Sequence, residues 1–373
     1  MKTNMKNLKR LFAVVVLITG LVSVALFAFA PQVPVLIREG FPPEMWTGKG
    51  RYALVSGVSE KDLEHAPSLP TTAQARFDSS GGRAMLVDQG GSLIFESYGQ
   101  DLGPSNRLNS FSLVKSLVGA LVVRALADGH ITSFDDPLRL YLGPDAPTIS
   151  VMDALTMTSG LLYQSEPAKS VDDAGFSPFG PLARLHVFGI EAVMADLDVD
   201  LTAKGQFAYQ SVNTALLGAV LEVAYDKPLP QLLSELIWKP AGATNARWQM
   251  HSKIDDVTAY CCLFAKPRDW IRVGRYLLDN GTPGEPFLPE YLWREFILPD
   301  LTVSQRHEST YGWHLRHDIL DREGERLAGP FAYFMGHGGQ MLYILPESDM
   351  VVVRFGDRLQ LLHSTLYELV PKT

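Results

Sequence analysis

The sequence predicts an α+β protein: an antiparallel sheet assembled from N- and C-terminal segments and flanked by helices, with a mostly helical region inserted, and one N-terminal transmembrane or signal helix in front. Three observations predict it. Hairpin patterns stand near both ends of the body, helical periodicity fills the middle, and an apolar run of about twenty residues leads the chain. With 373 residues, 46% hydrophobic and 20% charged, the chain can bury one large core carrying a subdomain. It is neither disordered nor disulfide-stapled.

Residues 1–10 hold Lys2, Lys6, Lys9 and Arg10 and no acid, a basic flank expected on the cytoplasmic side. From Leu11 to Ala30 every residue is apolar or small, enough to cross a hydrocarbon core of about 30 Å as a helix. Ala28-Phe29-Ala30 has the small-x-small pattern of a signal-peptidase site, although Pro31 would hinder cleavage there. Residues 11–30 are therefore read as a membrane anchor, with a cleaved signal peptide as the rival. In both cases the body is expected outside the cytoplasm, as a single-pass membrane protein with its catalytic domain on the extracytoplasmic or periplasmic side, or released after cleavage. Residues 31–75, rich in Pro and Gly and without periodicity, read as a connector.

The folded body is expected over 76–373. Arg83–Asp88 and Ser92–Ser97 alternate about Gly90-Gly91, a β-hairpin. Gln340–Leu345 and Met350–Phe355 flank Pro346-Glu-Ser-Asp349, a second hairpin. Between them Val114, Leu117, Val118, Leu121, Val122, Ala125 and Leu126 recur at helical spacing and stop before Gly129, placed as a C′ glycine. Residues 150–159 and 211–224 also read as helical, within a helical subdomain of roughly 130–270. Leu359–Val370 closes the chain as an amphipathic helix. The adjacent Cys261-Cys262 are expected as two buried apolar side chains rather than a bridge, because neighbouring side chains diverge.

The net charge of −8 falls on a body that lacks the basic N-terminus, so the body is more acidic still. Nucleic acid, which needs clustered Lys and Arg, is excluded as a partner. No motif bears on oligomeric state.

Ser112-Leu-Val-Lys115 opens the 112–128 helix, and three residues apart means one helix face. A serine needs a proton acceptor to become a nucleophile, and a lysine serves if burial depresses its pKa. The plain alternative is a helix-start serine beside a solvated lysine. Tyr209-Gln-Ser211-Val-Asn213 leads into the next helix; a tyrosine near a lysine can have a lowered pKa and move protons, whereas Ser211 or Asn213 could equally be a helix cap. Gly336-His337-Gly338-Gly339-Gln340 precedes a strand. Glycines there let backbone approach a ligand and leave N–H groups free for an oxyanion; otherwise they are strand-start glycines.

In that order, Ser112-x-x-Lys115, Tyr209-x-Ser211 and His337-Gly338-Gly339 resemble the three signatures of the serine β-lactamase and penicillin-binding-protein superfamily. The similarity is greatest to the branch of class C β-lactamases, carboxylesterases and 6-aminohexanoate-dimer hydrolases. Asp135-Asp136-Pro137, Leu155-Thr-Met-Thr-Ser-Gly-Leu161 and Arg268-Asp269-Trp270 extend the resemblance over about residues 80–370. It implies a β-lactamase/transpeptidase-like fold and a covalent acyl-enzyme mechanism. Ser112 is then the nucleophile, and Lys115 and Tyr209 exchange the proton and return it to the leaving group. The backbone N–H groups of Ser112 and Gln340 form the oxyanion hole.

Substrate contacts are expected from Tyr163, Ser211, Asn213, His337, Gly338 and Gly339. Ser211 stands where many relatives have Asn, and His337 where penicillin-recognising relatives often have Lys. A largely neutral His is a poorer carboxylate partner than a permanent cation. The expected reaction is therefore hydrolysis of a small ester or amide. A β-lactamase or D-Ala-D-Ala peptidase acting on cell-wall-like substrates is the alternative, and an inactive cell-wall or membrane-partner binding module is the alternative of another class. A Ser-Lys-Tyr enzyme needs no cofactor. Metal chemistry is raised only by His314, His317 and Asp318, which lack a His-Glu-x-x-His pattern and read as a solvated strand or loop. A Ser-His-Asp hydrolase is disfavoured because no Gly-x-Ser-x-Gly elbow is present.

Overall fold

The computed structural model of the chain describes residues 2–39, 50–64, 71–163, 177–299, 310–322 and 325–357. The chain begins with α1 (Lys2–Phe29) and α2 (Gln32–Glu39), followed by β1 (Tyr52–Val55), α3 (Thr71–Ser79) and the strands β2 (Gly82–Gln89), β3 (Ser92–Tyr98) and β4 (Leu108–Asn109). The middle is helical: α4 (Leu113–Ala127), α5 (Arg139–Leu142), α6 (Val151–Leu155), α7 (Pro181–Phe188), α8 (Glu191–Met194), α9 (Ser211–Tyr225) and α10 (Leu229–Leu233). Then come β5 (Ala246–Gln249), β6 (Leu263–Ala265), α11 (Pro267–Leu278), a small hairpin of β7 (Gly281–Thr282) and β8 (Glu285–Pro286), and α12 (Glu290–Ile297). Five strands end the described chain: β9 (Thr310–Gly312), β10 (Leu315–Arg322), β11 (Glu325–Gly336), β12 (Gln340–Leu345) and β13 (Met350–Gly356).

The main sheet has seven antiparallel strands in the order β3-β2-β13-β12-β11-β10-β9. Segments from the two ends of the body thus meet at the β2–β13 pair, the arrangement predicted from the two hairpins. Gly90 and Gly91, at φ 59° and 83°, make the two-residue turn between Gln89 and Ser92, a conformation glycine adopts without a Cβ penalty. Strand alternation sorts the sheet's side chains between two cores. Leu86, Phe334, Leu342, Val351 and Val353 pack with the helices of the middle region. Met85, Val87, Tyr343 and Val352 pack on the other face with Phe77 of α3.

The helix that carries Ser112 ends as predicted. Gly129 has φ 78°, and the N–H groups of Gly129 and His130 bond to the carbonyls of Leu126 and Ala125, the paired bonds that close a helix C-terminus. In contrast, the helix expected over 150–159 is the short α6, held by a reciprocal Ser150/Asp153 cap. It stops where Met157 takes φ 58°. The helix expected at Leu359–Val370 lies outside the described residues.

The 31–75 segment does more than connect. Val33, Val35 and Leu36 of α2 are buried, and β1 pairs with β5 in a second sheet of order β1-β5-β6-β4. A three-residue apolar face and a four-residue edge strand are too short to register as periodicity. The cysteines also differ from expectation. Both are buried, but Cys261 and Cys262 are joined by a disulfide, in a turn where Cys262 takes φ 72° and so swings its side chain toward its neighbour's. At the N-terminus α1 is a continuous helix whose side chains from Leu11 to Val22 are solvent-exposed. Among the described residues no helix is long and apolar enough to cross a membrane, so the fold lends the expected anchor at 11–30 no support.

Candidate active site

Ser112 stands at the N-cap position of α4 (φ −73°, ψ −3°), just after Phe111, which is held at φ 45°. That left-handed residue turns the chain out of the β4 region and into the helix. Its conformation is held locally: Asn109 Oδ1 accepts from the Phe111 N–H, and the Phe111 carbonyl accepts from Cys262 N. On the other side the end of β11 lies against the same turn. A Cβ on Gly336 would come within 2.4 Å of the Ser110 carbonyl oxygen, so only glycine permits this approach.

One turn into α4, Lys115 is buried at 3% exposure. Its Nζ donates to Ser112 Oγ at 2.8 Å and to the Tyr260 carbonyl at 2.8 Å, and it lies 5.1 Å from the Tyr209 ring centroid and 5.7 Å from that of Tyr260. Burial without a carboxylate partner pushes the Lys115 ammonium down to about 7, because the charged form loses its hydration. The depressed pKa that the Ser-x-x-Lys pattern required is thus present, and its cause is tertiary.

Tyr209 precedes α9 and is 4% exposed. Its phenol is pushed up to about 12 by burial, partly offset by a hydrogen bond with Ser112 and by the Arg316 guanidinium. The expectation of a lowered tyrosine pKa is corrected here: desolvation outweighs the Ser112 hydrogen bond and the Arg316 charge, so at neutral pH Tyr209 keeps its proton. The Ser-Lys-Tyr trio therefore converges, with a lysine poised to accept a proton and a phenol poised to donate one.

The surrounding cleft is lined by Ser112, Lys115, Ser116, Tyr209, Tyr311, His314, Arg316, Tyr333 and Met335. His314 is fully buried and pushed down to about 3 by desolvation, hence neutral. Its Nδ1 lies 2.7 Å from the Leu155 carbonyl and its Nε2 2.8 Å from Thr214 Oγ1. A carbonyl only accepts, so Nδ1 carries the hydrogen and Nε2 accepts from the hydroxyl. Ser116 Oγ donates to the His314 carbonyl, tying α4 to the β9–β10 corner. His317 is buried too, its Nε2 2.8 Å from the Phe296 carbonyl. These histidines are structural posts inside the protein, where the sequence suggested a solvated strand or loop.

Other sequence-predicted contacts lie outside the cleft lining. Tyr163 is buried and donates to the Pro181 carbonyl, inside the helical region. Ser211 and Asn213 are buried in the first turn of α9, with Asn213 Nδ2 3.8 Å from Met157 Sδ. His337 is exposed and packs edge-on against Phe111, ring centroids 5.4 Å apart. Gly338 and Gly339, at φ 75° and 76°, form the β11–β12 turn. Gln340 faces Gly336 across that turn, and its side chain bridges the carbonyls of His337 and Gly356. Sequence reasoning missed Tyr311, Tyr333, Met335 and Arg316. Their signal was the alternation of Tyr311, Arg316, Tyr333 and Met335 along three strands whose pairing the sequence does not show.

An antiparallel sheet backed by helices, with a buried lysine bonded to a helix-start serine beside a tyrosine, is consistent with the β-lactamase/transpeptidase-like class of α+β folds. The chain belongs to the Beta-lactamase family, whose family model matches residues 71–365. Solved structures of similar fold include a protein assigned as a 6-aminohexanoate-dimer hydrolase from Bacillus anthracis, with TM-score 0.69, 19% identity and coverage of 85% of this chain and 88% of that one. A penicillin binding protein from Bacillus halodurans matches with TM-score 0.57 at 14% identity, covering 80% of this chain and 98% of that one. A class C beta lactamase from Rhodobacter sphaeroides matches with TM-score 0.53 at 14% identity, covering 80% and 97% respectively. At these identities the likeness is one of fold. No curated protein matches the chain.

Proposed function

We propose that the protein is a serine hydrolase that cleaves a small ester or amide through an acyl-Ser112 intermediate. The observation that carries this reading is the buried Lys115 Nζ, 2.8 Å from Ser112 Oγ and pushed down to about 7. A large fraction of Lys115 is then neutral near pH 7, and its lone pair can take the Ser112 proton along the line of that hydrogen bond. Ser112 Oγ attacks the carbonyl carbon, and the oxyanion is met by backbone N–H groups. The Ser112 N–H is one donor, at the positive end of α4; the β11–β12 turn supplies the other, at Gln340 on the sequence reading. Tyr209, protonated, donates to the leaving atom as the carbonyl re-forms, and Lys115 restores the phenol's proton. Water then repeats the attack on the acyl-serine with the proton transfers reversed, and no cofactor enters.

The experiment is turnover of p-nitrophenyl esters of graded chain length, a linear amide dimer and nitrocefin, beside covalent labelling with a fluorophosphonate. Ester or amide turnover and labelling, both lost in Ser112→Ala, are expected. An unlabelled, inactive wild type would instead favour the binding-module alternative.

For location, we propose an exported protein tethered through residues 11–30. The basic flank, the apolar run and the exposed apolar side chains of α1, such as Leu11, Phe12 and Leu17, support this reading.

A further inference from the structure

Just beyond α6, Met157 stands in a left-handed conformation, φ 58°, which a non-glycine residue adopts only where its surroundings hold it there. It is wholly buried, and the proton transfers do not use it. The turn gives it two grips on the segment that carries Tyr209. Its carbonyl accepts from the Ala208 N–H at 2.9 Å, and its thioether sulfur accepts from the Gln210 N–H at 3.2 Å across a separation of 53 residues. Gln210 is the N-cap of α9 and makes no cap bond with its own side chain, which donates instead to the Leu161 carbonyl. One distant residue thus fixes the peptide planes before Ala208 and after Tyr209. Met157 and Tyr209 also pack on each other, with Tyr311 and Met335 against them. The phenol ring meets Tyr311 edge-on, centroids 6.2 Å apart, and Lys115 Nζ lies 5.1 Å from its centroid.

We propose that Met157 is the positioning residue of Tyr209, its sulfur holding the Gln210 N–H so that the phenol is aimed at the leaving atom. The choice of side chain follows from what the place demands. A thioether is unbranched and polarisable, so it fills an irregular gap and still accepts a hydrogen bond, whereas a leucine of similar volume only packs. Asn213 Nδ2, 3.8 Å from the same sulfur, ties the first turn of α9 to that point as well. Proton donation to a departing atom needs heavy atoms within hydrogen-bond reach, and a small error in aim is costly. The inference rests on the acyl-Ser112 reading and names the group that aims its acid.

The test compares two acetate esters on the full-length protein, reading kcat/KM, which reports the steps through acylation. 4-Nitrophenyl acetate releases a stable phenolate that departs without a proton; 4-nitrobenzyl acetate releases a strongly basic alkoxide that must be protonated as it leaves. In Met157→Leu, a volume-conserving swap, the benzyl ester is expected to lose about tenfold and the phenyl ester about twofold or less, as for an acid that is present but misaimed. Met157→Gln places an amide oxygen at similar reach and should return the ratio of the two esters toward that of the wild type. Tyr209→Phe should shift the ratio in the same direction as Met157→Leu, and further. Equal losses on both esters in Met157→Leu, the mark of a merely structural residue, or no loss on either, overturn the proposal. Should Met157→Leu fail to fold, a ratio in Met157→Gln as far shifted as in Tyr209→Phe overturns it. The two levels separate cleanly: a shift in Tyr209→Phe without one in Met157→Leu removes the Met157 assignment alone, whereas an unshifted Tyr209→Phe, or a wild type that takes no fluorophosphonate at Ser112, removes the acyl-serine reading with it.

Discussion

The chemistry of the site turns on how two side chains are desolvated. Lys115 is buried against the Tyr209 and Tyr260 rings with only hydroxyl and carbonyl oxygens as acceptors, and no anion compensates its charge. Its folded pKa of about 7 lies below the ordinary lysine value of 10.5, so the neutral amine dominates as pH rises through 7. Tyr209 titrates the other way, at about 12. For ester hydrolysis, kcat/KM is therefore expected to rise with pH along a limb centred near 7 and to stay flat well into the alkaline range. In Lys115→Met that limb should vanish together with most of the activity, a loss of about 10²-fold or more. A profile that rises only near pH 10 would place Lys115 in water and contradict the mechanism. The burial of Lys115 also costs stability most below pH 7, and the cost declines between 7 and 10.5, where the unfolded chain holds the extra proton.

At the scale of elements, three close approaches hold the cleft: α4 against the β9–β10 corner, β11 against the turn before Ser112, and α9 against α4. The first depends on Gly119, where a Cβ would come within 2.5 Å of the Trp313 carbonyl oxygen and 2.7 Å of His314 Cβ. Trp313 and His314 have φ 42° and 62° and are locked by the Ser116–His314 bond, so that corner has little room to yield. Gly119→Ala is expected to lower stability by about 1–3 kcal/mol, an overpacking cost, read as a lower thermal midpoint. Because the corner carries Tyr311 and Arg316, activity should fall with it even at temperatures where the protein stays folded. The hairpins and the helix stop at Gly129 were legible from alternation and turn glycines. The shortness of α6 was not, because it depends on Met157 turning toward Tyr209, a contact between distant segments.

Across the whole molecule, the N-terminal segments divide into a part that stands clear of the body and a part that belongs to it. Residues 11–22 of α1 are exposed, while α2 packs on α7 and β1 completes the small sheet beside β5. Removing residues 1–30 should therefore leave thermal stability nearly unchanged. Removing residues 1–60 should strip the buried Leu36 and Val55 and the β1–β5 ladder, and lower the thermal midpoint by several degrees. Equal midpoints for the two truncations would show that this segment is the plain connector the composition suggested.

The sequence by itself determined what local geometry controls. Period-two alternation around Gly90-Gly91 made a hairpin, period-3.6 spacing made α4, and a three-residue interval placed Ser112 and Lys115 on one helix face. The order of three motifs further tied the chain to its family. Only the tertiary structure decided the rest: that Lys115 is dry, its Nζ held by a carbonyl 145 residues further on; that Tyr209 keeps its proton; that Cys261 and Cys262 are joined; and that Arg316 enters the cleft. For Lys115, Tyr209 and Arg316 the reason is common. Periodicity and turn chemistry are properties of neighbouring residues, whereas desolvation and electrostatic field sum over groups that the chain brings together from far apart.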